Sequence, residues 1–164
     1  MRKLILMRHA KSDWSDESLS DHDRPLNPRG RRSAPLVANY LEHQGHSPDF
    51  ILASSAVRVQ QTLELMQATW QREAEVLTET SLYLASPDEI SGHVDVLHDS
   101  WSTVLVLGHN PGMSALCGAL AGVGMELPTA ALGVFQTEAE TWKHSVRKAE
   151  WSLEDSCRPR DLEI

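Results

Sequence analysis

Three apolar runs at residues 4–7 (LILM), 50–53 (FILA) and 103–107 (TVLVL) are separated by stretches of helical periodicity. A short run with no polar alternation suits a strand covered on both faces, as in a parallel sheet. Ala34, Val37, Ala38 and Leu41 repeat at helical spacing, and so do Val59, Leu63 and Met66. Pro35 places the start of the first helix only shortly before it, with Ser33 as a cap. The second helix is expected over about residues 56–70. Ser86-Pro87-Asp88-Glu89 has the form of a capping box with proline at the first helical position, and Ile90, Val94 and Leu97 extend its apolar face. A fourth helix follows Pro111. Val76-Leu77 reads as a shorter strand, and late strands are expected at 130–137 and 149–153, with Trp151 and Leu153 on one face. This alternation predicts an α/β fold, a three-layer α/β/α sandwich with a mostly parallel central sheet. The 164 residues fit one domain, 1–164, with no linker or repeat.

Charge and cysteine content narrow the function classes. The chain has 15 Lys+Arg against 23 Asp+Glu, a formal charge of −8, which argues against a nucleic-acid partner. The N-terminal apolar run stops at Met7, too short for a signal-peptide core or a membrane span. Two cysteines with no CxxC spacing leave a reduced, cytoplasmic protein as the expectation, with Cys117 a buried thiol. There is no GxGxxG and no GxxxxGK[ST]. More than twenty residues rich in Ser, Asp and Arg separate Arg8 from the first helix, a length typical of functional or disordered loops.

Ligands of open α/β sheets bind at the carboxyl ends of the parallel strands. Arg8-His9 follows the first run, Ser54-Ser55 and Arg58 the second, and Gly108-His109-Asn110 the third. If the strands are parallel, two arginines and two histidines meet on one rim. Alone, each is more simply a surface or locally bonded residue. Together they make a receptor for a tetrahedral anion, because arginine forks match phosphate oxygens and helix N-termini add N–H donors.

These residues also carry a resemblance. Leu6-Met7-Arg8-His9-Ala10 resembles the RHG signature of the histidine phosphatase superfamily, also called phosphoglycerate-mutase-like. Residues 54–58 with Gln61-Thr62 are similar to its second arginine motif, and residues 108–112 (GHNPG) to its second histidine motif. Residues 21–30 resemble the small phosphohistidine phosphatases of the SixA type. The likeness runs from the N-terminus to about residue 162. Ala10 stands in place of the signature glycine and Ser55 where many members have proline. The resemblance implies a phosphoglycerate-mutase-like fold and a metal-independent phosphatase with no cofactor. His9 would be the nucleophile, and Arg8, Arg58 and His109 would clamp the phosphoryl group. Arg24 is a further candidate for phosphate or partner contact.

The larger relatives protonate an ester oxygen with a carboxylic acid, and residues 81–85 (SLYLA) contain none. An alkoxide leaves poorly without an acid, whereas imidazole leaves well. The expected substrate is therefore a phosphohistidine-bearing protein, with Asp21 or Asp23 the acids able to reach the site from the long loop. Alternatives are a small-molecule phosphomonoesterase, a metallohydrolase built on His9, His22, His109, Asp21 and Asp23, and a module that holds phosphate without turnover. His43-x-x-His46 spans Gly45 at a helix end and is expected to be solvated. Oligomeric state is not encoded in any readable pattern.

Overall fold

The computed structural model describes residues 1–163. Strand β1 (Arg2–Arg8) leads through a long loop into helix α1 (Pro28–His43). Then follow β2 (Phe50–Ser54), α2 (Val57–Thr69), β3 (Glu75–Glu79), α3 (Pro87–Asp95), β4 (Thr103–Gly108) and α4 (Gly112–Ala121). The chain closes with β5 (Leu132–Thr137), the single turn α5 (Ser145–Lys148) and β6 (Ser152–Cys157). The six strands lie in the order β3-β2-β4-β1-β5-β6. The pairs β3–β2, β2–β4 and β4–β1 are parallel, while β5 is antiparallel to both its neighbours. The expected mostly parallel α/β sheet is what forms.

The apolar runs are continuous because each face of the sheet has its own core. Side chains alternate along a strand. Ile5, Met7, Ile51, Ala53, Leu105 and Leu107 therefore meet α1 and α2, while Leu4, Leu6, Leu52, Val104 and Val106 meet α3 and α4. Burying each large aliphatic side chain contributes roughly 1.5–3 kcal/mol. Those two layers hold β1, β2 and β4 in register, and the register brings Arg8 opposite Gly108 at the strand ends.

Local chemistry sets most helix ends where the periodicity placed them. The Ser86–Glu89 capping box forms in both directions, and α2 lies within a residue of the expected span at each end. Two expectations need correction. Helix α1 starts at Pro28 rather than near Ser33: the Asn27 side chain accepts from the Gly30 N–H, and proline at the first helical position is pre-shaped for the helix. Pro35 is thus carried inside the helix, and the Ser33 hydroxyl donates to the Arg29 carbonyl. The last strand begins at Ser152, not at 149. Residues 145–148 form a helical turn instead, whose Ser145 carbonyl accepts from the Trp151 indole. Trp151 therefore stands before the strand. The strand at 130–137 also starts late, at Leu132, because Ala130 adopts a left-handed backbone with φ 62°. Among the described residues no helix is long and apolar enough to cross a membrane.

Gly112 is where the second histidine loop touches the start of α3. A Cβ there would lie 2.0 Å from the Ala85 carbonyl oxygen, a backbone atom that cannot swing aside. Gly112→Ala is expected to destabilise the protein by about 1–3 kcal/mol. Gly92→Ala, inside α3 with open space around it, is expected to leave stability unchanged or slightly raised. Thermal unfolding of the two variants checks this; equal midpoints would show that the contact has slack.

Candidate active site

The carboxyl ends of β1, β2 and β4 share one cavity of about 270 Å³, lined by Arg8, His9, Arg24, Arg58 and His109 together with Lys11, Trp14 and Asp21. All five sequence-predicted site residues are brought together there. The backbone of His9 is held from both sides, its N–H donating to the Gly108 carbonyl and its carbonyl accepting from the Ala130 N–H. Ala10 is fully buried without a left-handed backbone, so alanine is tolerated where the signature has glycine. Its N–H donates to Thr62 Oγ1 (3.1 Å), and the Thr62 hydroxyl donates to the Arg58 carbonyl (2.7 Å). Thr62 thereby ties the His9 loop to the first turns of α2.

His9 is 6% exposed. Its Nδ1 lies 2.7 Å from the Ala10 carbonyl, which can only accept, so Nδ1 carries the proton and Nε2 keeps a lone pair. Arg58 Nε donates to that Nε2 at 3.2 Å. Arg58 Nη2 reaches His109 Nδ1 at 3.3 Å, and His109 Nε2 lies 2.8 Å from Ser54 Oγ. Since the guanidinium can only donate, His109 Nδ1 is the unprotonated nitrogen and Nε2–H points to Ser54. The two imidazole centroids are 5.3 Å apart.

Electrostatics keep both rings neutral. Burial, reinforced by the charges of Arg58, Arg8 and Arg24, lowers His9 to about 4. Burial, together with His9 and Arg58, lowers His109 to about 3. His9 is therefore a free base at neutral pH, the state a nucleophile needs. Arg8 donates to the Leu127 carbonyl at 3.1 Å, while its Nε is buried with no partner among the described residues. An orphan guanidinium N–H beside a cluster of cations is a donor waiting for an anion.

Asp21 is the acid that enters the cavity. Its carboxylate receives Arg58 Nη2 at 3.0 Å, Arg24 Nη2 at 2.9 Å and the Tyr83 hydroxyl. The Tyr83 hydrogen bond and the two arginines hold it well below the usual carboxylate range, so it is ionised. Asp23 is exposed and faces His22. Arg24 lines the cavity, but its donors are taken by Asp21, Ser12 and the Asp13 carbonyl, and its guanidinium lies 3.3 Å from the centroid of the Trp14 ring. Its visible work is to fold the loop that delivers Asp21. No group of three or more His, Cys, Asp or Glu side chains suited to a metal is found among the described residues.

Ser54, Thr62 and Tyr83 are the members that residue-level reading does not assign a role, whereas Asp21 is, of the two loop acids it names, the one that reaches the cavity. Ser54 had a usable signal, as the last strand residue before the second arginine motif. Tyr83 had none, since it joins Asp21 across 62 positions of sequence.

Comparison with known proteins agrees with this geometry. The family profile described as histidine phosphatase superfamily (branch 1) matches residues 4–82. An uncharacterised chloroplastic protein of Arabidopsis thaliana is 35% identical over 96% of this chain and 78% of its own. The structure of a candidate phosphohistidine phosphatase SixA from Nakamurella multipartitia superposes with a TM-score of 0.80 at 30% identity, covering 96% of each chain. A mycobacterial glucosyl-3-phosphoglycerate phosphatase bound to VO3 shares the fold, with a TM-score of 0.67 at 16% identity over 94% of this chain and 98% of its own.

Proposed function

The chain belongs to the histidine phosphatase superfamily, and from that premise we propose that it hydrolyses phosphohistidine on another protein through a phosphohistidine formed on its own His9. His9 Nε2 attacks phosphorus in line as the P–N bond to the substrate imidazole breaks. The leaving imidazole takes the electron pair and is neutral on departure if its ring was already protonated by solvent. Water then attacks the phosphoryl group on His9, the second P–N bond breaks, and phosphate and a proton leave. Arg58, Arg8 and His109 supply the charge and donors for the three phosphoryl oxygens. As a phosphate dianion settles beside His109 it favours protonation of Nδ1, which turns that nitrogen into a donor.

The observation that carries the P–N reading is the ionised Asp21. It is the one acid among the described residues that lines the cavity, and it has no proton to give an alkoxide. The cavity is also at the small end for a site that encloses a metabolite, so most of a substrate would lie outside it. A second reading, a small-molecule phosphomonoesterase, is favoured by the same Asp21 if a substrate dianion displaces it from Arg58 and raises its proton affinity.

A substrate panel separates the two. A phosphohistidine protein and phosphoramidate are expected to release phosphate at least ~100-fold faster than sugar or nucleotide monoesters. Release is expected to be unchanged by chelator. Faster turnover of the monoesters would transfer the assignment to the second reading, and loss of activity in chelator would reopen the metallohydrolase.

A further inference from the structure

Beside the catalytic cavity lies a second, smaller one, lined by Arg29, Arg158 and Arg160 with Ser33, Pro128, Thr129 and Pro159. Thr129 is a wall of both. Arg8, Lys11, Arg24 and Arg58 line the first cavity, so the pair gathers seven of the chain's 15 lysines and arginines. Of its 23 carboxylates, Asp21 alone lines either. Asp161 stands at the edge of the second, paired with Arg158, so a chain with formal charge −8 keeps a largely cationic lining in two cavities joined at Thr129.

Two of the three arginine side chains of the second cavity make no structural bond among the described residues. Arg29 and Arg160 are exposed, and neither side chain makes an ion pair or hydrogen bond among the described residues. Arg158 meets Asp161 through Nε and Nη2, which leaves Nη1 available. Like charges held together this way repel one another unless an anion joins them. Two prolines, Pro128 and Pro159, share the lining and limit backbone freedom there.

We propose that this cavity binds a second anionic group of the substrate, next to the phosphoryl group being transferred. The inference rests on the catalytic cavity holding that phosphoryl group. For a protein substrate the anion is a carboxylate flanking the phosphorylated histidine; for a small molecule it is a second phosphate. The carboxylate is favoured by the exposed, open placement of Arg29 and Arg160, which suits a surface docked from outside.

The test compares the wild-type protein with a double variant carrying Arg29→Gln and Arg160→Gln. Substrates are a phosphohistidine peptide with glutamate flanks, the same peptide with glutamine flanks, phosphoramidate, and a matched sugar mono- and bisphosphate. At low salt the double variant is expected to raise KM for the glutamate peptide about tenfold with kcat unchanged, an effect that fades at high salt. The glutamine peptide and phosphoramidate are expected to be unaffected. A rise confined to the bisphosphate would support the site and assign its anion to a second phosphate. A uniform change on all substrates, or none, would overturn the inference while leaving the phosphatase reading in place. If the wild-type protein hydrolyses nothing in the panel, that reading fails instead. Calorimetric binding of the unphosphorylated glutamate peptide then still decides the cavity: weaker binding by the double variant supports it, equal binding refutes it.

Discussion

His9→Ala is expected to abolish phosphate release, with a loss of at least ~1000-fold in kcat, and to leave the fold intact. The magnitude follows from the role: a residue that forms the covalent bond cannot be replaced by positioning or charge alone. The wild-type protein, quenched during turnover, is expected to carry a phosphoryl group that is lost in acid and kept in alkali, as a nitrogen-linked phosphate is. His9 Nε2 is the expected site of attachment, because Nδ1–H is committed to the Ala10 carbonyl. Rapid-quench labelling of both proteins checks this. Full label on His9→Ala, or an alkali-labile phosphate on the wild type, would remove His9 from the reaction.

Arg58 carries the second large effect. It is 3% exposed and bonds His9 Nε2, His109 Nδ1 and Asp21 at once. Removing such a donor from a preorganised oxyanion site costs about 100–1000-fold in rate. Arg58→Ala is expected to fall in that range and also to shift the pH profile. In the wild type, kcat/KM should rise with pH through about 4, where His9 loses its proton, and hold until the substrate's own ring loses its proton. The Arg58 charge is one of the causes that depress His9, so its loss raises the imidazole toward its ordinary value. The acid limb should therefore move to higher pH. Arg58→Lys keeps the charge without the planar fork, so it is expected to lose rate while its acid limb stays near that of the wild type. Rate profiles normalised to the wild type on the same substrate measure both. An unmoved limb in Arg58→Ala would mean that burial and the remaining arginines set the imidazole without Arg58.

The four residues that meet at the strand ends are legible because Arg8, His9 and His109 follow apolar runs within two residues and Arg58 opens the helix just beyond the second run. Strand period and parallel order then fix where Arg8, His9, Arg58 and His109 lie. The sandwich was legible for the same reason: both faces of β1, β2 and β4 are apolar. What escaped depends on contacts between distant segments. The Asp21–Tyr83–Arg58 cluster joins a loop, a short turn and a helix, and no periodicity connects them. The start of α1 was misplaced because Pro35 was weighed as a helix breaker, when the Asn27–Pro28 cap upstream was strong enough to carry it. The late strand shifted because Trp151, apolar enough for a strand, is used to close the turn at Ser145.

Every arm of Arg58 is occupied before a substrate arrives, two of them by Asp21. Binding is therefore an exchange of one oxygen ligand for another, and only the difference between the two favours occupancy. In the proposed reaction, freed inorganic phosphate would meet a carboxylate ready to reclaim its seat, so the spent group would be evicted from within and His9 reset for the next round.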